Sequence, residues 1–211
     1  MKGKSKSTQV APTRPGKRER TRRQLIEAAM KVISARGLAA ATIQEIAVTA
    51  GMSTVTFYNH FAAKDAVVSA AAIAMAETFH ARGRPERTLP HGSERIAAGC
   101  LRYLGLAETD PRWGQAMVEI AAAEPELLRR IGRFTLADVR LAARQGEIPA
   151  VDGAVALDLI HGTVLRAMRR VAEGRSGRGH GRAVATAILR GLGLPAARAE
   201  AAVAEAGKLR Q

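Results

Sequence analysis

The sequence predicts an all-α protein: an N-terminal helix-turn-helix head of three helices, followed by a C-terminal helical bundle. Three observations carry that prediction. Apolar residues recur at helical spacing, as in Leu25, Ile26, Ala29, Val32 and Ile33. No strand-like alternation and no internal repeat occurs anywhere along the 211 residues. Glycines and prolines punctuate the chain at helix ends, with Gly37 and Gly51 as stops and Pro111, Pro125 and Pro195 at first-turn positions.

The chain divides into residues 1–19, a disordered basic arm; 20–66, the helix-turn-helix head; and 67–211, the helical body. Residues 1–23 hold nine Lys or Arg and one acid, Glu19, which accounts for +8 of the net charge of +14. The charge is therefore an arm and not a uniform coat, and such arms suit nucleic acid. Helix one spans about Thr21 to Arg36. Thr42-Ile43-Gln44-Glu45 has the form of a capping box, in which the Thr hydroxyl and the Glu carboxylate satisfy each other's backbone amides. Ile43, Ile46 and Ala47 place an apolar stripe on the helix that follows. Ser53 is a good N-cap for the next helix, predicted over Thr54 to Phe61, with Phe57 and Phe61 on one side. Two helices joined by a short glycine-containing turn form the helix-turn-helix pattern, whose second helix enters the major groove of DNA.

Helix four is predicted from Lys64–Asp65 to about His80, a strut between the two parts, and the Gly/Pro-rich run 82–92 is a break. Further helices are expected over about 93–106, 111–123, 125–146, 151–172, 183–192 and 195–208, with 174–181 as a Gly/Arg connection.

Gly51-Met52-Ser53, then Thr56-Phe57-Tyr58-Asn59-His60-Phe61, then Lys64-Asp65 closely resembles the DNA-binding signature of the TetR family of bacterial transcriptional regulators. The specific part of the resemblance covers roughly residues 20–70; beyond it the likeness is to that family's variable helical body. The resemblance implies that Thr42, Tyr58, His60 and Lys64 touch phosphates, and that Gln44, Thr54, Val55, Thr56 and Asn59 lie where base edges are read. The chemistry agrees: hydroxyl, phenol, imidazole N–H and ammonium donate to phosphate oxygens, and Asn and Gln pair bidentately with adenine. This chain has Thr54 where many relatives carry a cation and Val55 where they carry a small residue. Guanine readout by this helix is therefore disfavoured, and phosphate contacts and the arm are expected to compensate.

The resemblance further implies a pocket for a small-molecule effector and a homodimer. The notable bulky residues of the Ala/Leu-rich second part are Trp113, Met117, Phe134, His161, Leu165 and Met168, which become the candidate pocket. The helices 151–172 and 183–192 are the expected dimer contact. One helix-turn-helix reads few base pairs, so paired heads on a pseudo-palindromic double-stranded operator are also expected from function.

Composition sets the outer bounds. No run of eighteen apolar residues occurs, so no transmembrane helix and no membrane partner are expected. No apolar segment follows the basic N-terminus as in a secretory signal. Cys100 is the sole cysteine, sits on an apolar helical face and is expected to be an inert buried thiol in a reducing, cytoplasmic setting. His80, His91, His161 and His180 show no metal-ligand spacing, so neither a metal, a cofactor nor an enzymatic activity is expected. The expected function is a sequence-specific repressor released from its operator by an effector. The alternatives are a low-specificity DNA-coating protein driven by the arm, and a ligand carrier or enzyme that keeps the head as a relic.

Overall fold

The computed structural model describes residues 16–81, 85–123 and 125–209, and these form ten α-helices with no strand among them. The head comprises α1 (Lys17–Arg36), α2 (Ile43–Thr49) and α3 (Thr54–Tyr58), with α4 (Lys64–Ala81) leading out of it. Leu25, Ala28, Ala29, Val32 and Ile33 of α1 bury against Ile46 and Ala47 of α2, against Phe57 and Phe61, and against Val67, Val68 and Ala71 of α4. Burying this set removes several large side chains from water, at about 1.5–3 kcal/mol for each Leu, Ile, Val or Phe.

Two boundaries in the head differ from the sequence expectation. Helix α1 begins at Lys17, four residues before Thr21 and inside the span assigned to the arm. Gly16 is its N-cap, and the Thr21 hydroxyl donates back to the Lys17 carbonyl at 3.1 Å. The rest of the predicted arm, residues 1–15, lies outside the described residues. Helix α3 ends at Tyr58 and not at Phe61. The His60 and Phe61 amides both donate to the Phe57 carbonyl at 2.9 Å, which tightens the last turn and folds Phe61 back beside Phe57 with ring centroids 5.7 Å apart.

The caps form as the sequence dictates. Glu45 N–H donates to Thr42 Oγ1 and Thr42 N–H to Glu45 Oε2, both at 3.2 Å. The hydrogen bond from the Thr42 hydroxyl, with Arg36 close by, holds the Glu45 carboxyl below the usual carboxylate range. Gly51 takes φ +68°, the left-handed conformation that ends α2. Ser53 Oγ accepts from Thr56 N–H at 3.1 Å.

The body comprises α5 (Gly92–Thr109), α6 (Pro111–Ala123), α7 (Pro125–Arg144), α8 (Gly153–Ala172), α9 (His180–Gly191) and α10 (Ala196–Lys208), preceded by a 3-10 turn at Pro85–Thr88. Helix α5 is central and packs on all five others through residues such as Leu101 and Leu104. Its N-terminus is held from the α7–α8 connection. Gly92 N–H donates to Gln145 Oε1 and Ser93 N–H to the buried Glu147 carboxylate, both at 2.9 Å. At Gly92 α5 nearly touches α7, since an added Cβ would stand 2.2 Å from the Ala142 amide nitrogen. None of the helices is long and apolar enough to cross a membrane among the described residues.

Candidate nucleic-acid interface and effector cavity

The head presents one exposed edge of α3. Phe57 and Phe61 anchor that helix inward, so Thr54, Val55, Tyr58 and Asn59 face out, Val55 with 69% and Tyr58 with 57% of its surface accessible. Gln44 of α2 is exposed as well, in a shallow groove with Lys31 and Ala35 of α1. These five residues keep side chains open to a partner. Arg22 of α1 lies over the Phe61 ring at 4.8 Å, a cation–π contact that ties the basic start of α1 to the end of the recognition segment.

Four of the expected contact residues stand differently. Thr42 is exposed, but its amide and hydroxyl are both engaged by Glu45. The Thr56 hydroxyl lies 3.0 Å from Ser53 Oγ inside the α3 cap. His60 is half-buried. Lys64 departs furthest. Its ammonium donates to the carbonyls of Ala41 (3.0 Å), Leu38 (3.3 Å) and Ala39 (3.4 Å). All three of its N–H groups are thereby turned to the α1–α2 loop, away from the phosphate expected for it. Lys64 thus pins α4 to the loop that positions Thr42 and Gln44.

The body holds a partly open cavity among α5, α6, α7 and α8. Of the six residues expected there, Met117, Phe134, His161, Leu165 and Met168 line it. Trp113 does not. It stacks on Tyr103, a wall residue, at 6.2 Å between ring centroids, and its amide is capped by Asp110 Oδ1 at 3.0 Å. The stack on Tyr103 places the Trp113 ring behind the wall. The cavity volume is about 70 Å³. At about 10–15 Å³ for one water, that is room for a few waters or one small ring.

The cavity has a polar side that sequence reasoning missed. Arg102 Nη2 pairs with the buried Glu86 carboxylate at 3.1 Å, and the Thr135 hydroxyl meets His161 Nε2 at 3.2 Å. Arg95 and Asp138 complete this side, with Arg95 Nε donating to the Leu89 carbonyl at 2.8 Å. A signal did exist: Leu128, Ile131, Thr135 and Asp138 share one stripe of α7, so two polar residues occupy core register. Burial lowers the His161 pKa below its ordinary 6.5, against the pull of Asp158, and favours the neutral ring. Burial also pushes the Cys100 thiol on the same wall up to about 12. Among the described residues no cluster of three His, Cys, Asp or Glu could hold a metal ion.

Head and body touch directly. Arg112, at the start of α6, donates to the Ala35 carbonyl at the end of α1 at 3.1 Å. Helix α6 also carries Met117 into the cavity, so one short helix links the cavity wall to the head.

Residues 25–71 match the profile of bacterial regulatory proteins of the tetR family, and residues 91–205 match the tetracyclin repressor-like C-terminal domain. The HTH-type transcriptional regulator TcmR of Streptomyces glaucescens is 33% identical over 132 residues, a stretch covering 58% of each chain. Among solved structures, RolR in complex with its ligand resorcinol superposes with a TM-score of 0.78 at 27% identity, over 89% of this chain and 94% of that one. FadR from Bacillus subtilis in complex with stearoyl-CoA shares the fold at a TM-score of 0.62 and 20% identity, over 81% of this chain and 96% of that one.

Proposed function

Because the chain belongs to the TetR family of bacterial regulatory proteins, we propose that it is a homodimeric repressor that binds a pseudo-palindromic operator and is released by a small-molecule effector. The observation that carries the proposal is the outward edge of α3, where Thr54, Val55, Tyr58 and Asn59 stand exposed while Phe57 and Phe61 lock the helix to the core. Asn59 and Gln44 would read base edges, Tyr58 would donate to a phosphate, and the methyls of Thr54 and Val55 would pack on thymine. The cations of α1, Lys17 to Arg23, would add phosphate contacts beside them. With Lys64 committed to the loop, this α1 cluster takes over its expected share.

The cavity supplies the control. Its size favours a ligand of about one ring, in keeping with the resorcinol bound by RolR. The Thr135–His161 pair and the Glu86–Arg102 pair would meet its polar groups, and Met117, Phe134, Leu165 and Met168 its apolar face. A ligand that displaces Met117 moves α6, and with it the Arg112 hold on α1. The effector then favours the head spacing that does not fit DNA, which is release by population shift. The chain would act in the cytoplasm, where its DNA lies, and without catalysis.

Competition against non-specific DNA separates this reading from arm-driven coating. Operator-bearing DNA should outcompete random DNA by roughly 1,000-fold or more. Equal competition by both would overturn the proposal in favour of coating.

A further inference from the structure

Helix α5 turns one stripe to the cavity: Arg95, Ile96, Gly99, Cys100, Arg102 and Tyr103. Gly99 is its midpoint, a turn away from each arginine. Glycine in the interior of a helix destabilises it relative to alanine, so a packing reason for it is expected. Other glycines of the body have one. An added Cβ would stand 2.2 Å from a neighbour at Gly92, 2.8 Å at Gly114 and 3.0 Å at Gly191. At Gly99 it would meet nothing within 4 Å. The bare backbone there serves no contact between helices; it keeps cavity space open.

The charges around that space select what can enter it. Glu86 and Asp138 are buried acids of the wall, and Arg95 and Arg102 are its two cations. With the His161 ring kept neutral by its burial, the polar side sums to zero. Arg102 Nη2 pairs with Glu86 at 3.1 Å. Arg95 donates to two backbone carbonyls, Leu89 at 2.8 Å and Arg87 at 3.2 Å. An entering anion would face two buried carboxylates while both guanidiniums already serve other acceptors. An entering cation would face the two arginines. A hydroxyl donates to a carboxylate and accepts from a guanidinium, so it suits both signs without a net charge of its own.

We propose that Gly99 is the specificity-determining seat of the cavity: an uncharged ring bearing hydroxyl groups lies across the bare backbone of α5 there, with its hydroxyls received by Asp138 and by the Glu86–Arg102 pair. This rests on the effector reading above and adds the chemical class of the ligand and the residue that makes room for it.

The test is isothermal titration calorimetry of the full chain at neutral pH, with thermal unfolding of the ligand-free protein followed by circular dichroism. Two probes are used: resorcinol, an uncharged dihydroxy ring, and benzoate, an anion of similar size. Wild type should bind resorcinol, and benzoate at least roughly 100-fold more weakly, because its charge meets buried carboxylates. Gly99→Ala should weaken resorcinol binding by roughly 10-fold or more, the usual effect of one misplaced carbon in a ring-sized pocket, and should raise the ligand-free Tm. Gly99→Leu should remove the binding. Resorcinol binding unchanged in Gly99→Ala would overturn the seat, and a lowered Tm in that variant would show that the glycine serves packing. Benzoate bound as tightly as resorcinol by wild type would overturn the uncharged class. Wild type that takes up neither probe at up to about 10 mM would instead overturn the effector reading of the cavity itself.

Discussion

Replacing Lys64 by Met separates two roles that the same residue type could play. The aliphatic stem is kept and the three donors are removed. The bond to Ala41 at 3.0 Å is the best of them, while those to Leu38 and Ala39 are long and the last is exposed to water that can replace it. A hydrogen bond from a charged donor contributes about 1.5–3 kcal/mol, so we expect a net destabilisation of about 2 kcal/mol, chiefly from the Ala41 bond. For a chain of this size that lowers Tm by about 4–8 °C. Thermal unfolding followed by circular dichroism reads it directly. DNA affinity measured against salt reads the alternative: removing one phosphate interaction per protomer of a dimer would flatten the log–log slope by about 1.8. A variant with unchanged Tm and a slope flattened by that amount would refute the loop-pinning role and return Lys64 to the phosphates.

Tyr58→Ala should weaken binding about equally on all DNA sequences, whereas Asn59→Ala should relax preference at one base pair by about 1–3 kcal/mol; a preference that survives Asn59→Ala would misplace the reading face. Cys100, its thiol pushed up to about 12 by burial, should resist a thiol reagent at pH 8 in the folded protein and react fully in urea; equal rates in both states would contradict its burial. His161 has a lowered folded pKa, so its contribution to stability is present above the ordinary 6.5 and is lost as pH falls through the folded value. The urea midpoint of wild type should therefore drop more between pH 7.5 and pH 5 than that of His161→Gln, and identical drops would show that the ring is solvated.

What can be read from the sequence is what local chemistry decides. The Thr42–Glu45 box, the Gly51 stop and the Ser53 cap all involve residues within a few positions of each other, and each forms where its motif places it. Lys64 is legible as a helix start but not as a loop clamp, because its acceptors lie 23 to 26 residues earlier and are brought there by the packing of α4 on α1. The early start of α1 is hidden by a run of cations without apolar periodicity, which hydrogen bonding extends into a helix all the same. In the cavity, bulky residues in small-residue helices mark five of the wall positions. The polar wall is legible only in part: Thr135 and Asp138 fall in core register on α7, but a buried Glu86 becomes tolerable only through Arg102, sixteen residues on, and Thr135 finds His161 only once α7 and α8 pack. Trp113 falls outside the cavity because its ring stacks on Tyr103, which itself lines the wall, a packing choice that residue size and period do not reveal.

Operator recognition by a dimer is tested most directly by selection of bound sequences from random duplex DNA at about 150 mM salt, near physiological ionic strength. The expected result is enrichment of a short inverted repeat whose half-sites are centred about 34–36 Å apart or a multiple of that, as two heads on one face of DNA require. Binding that persists with no enriched motif would contradict it.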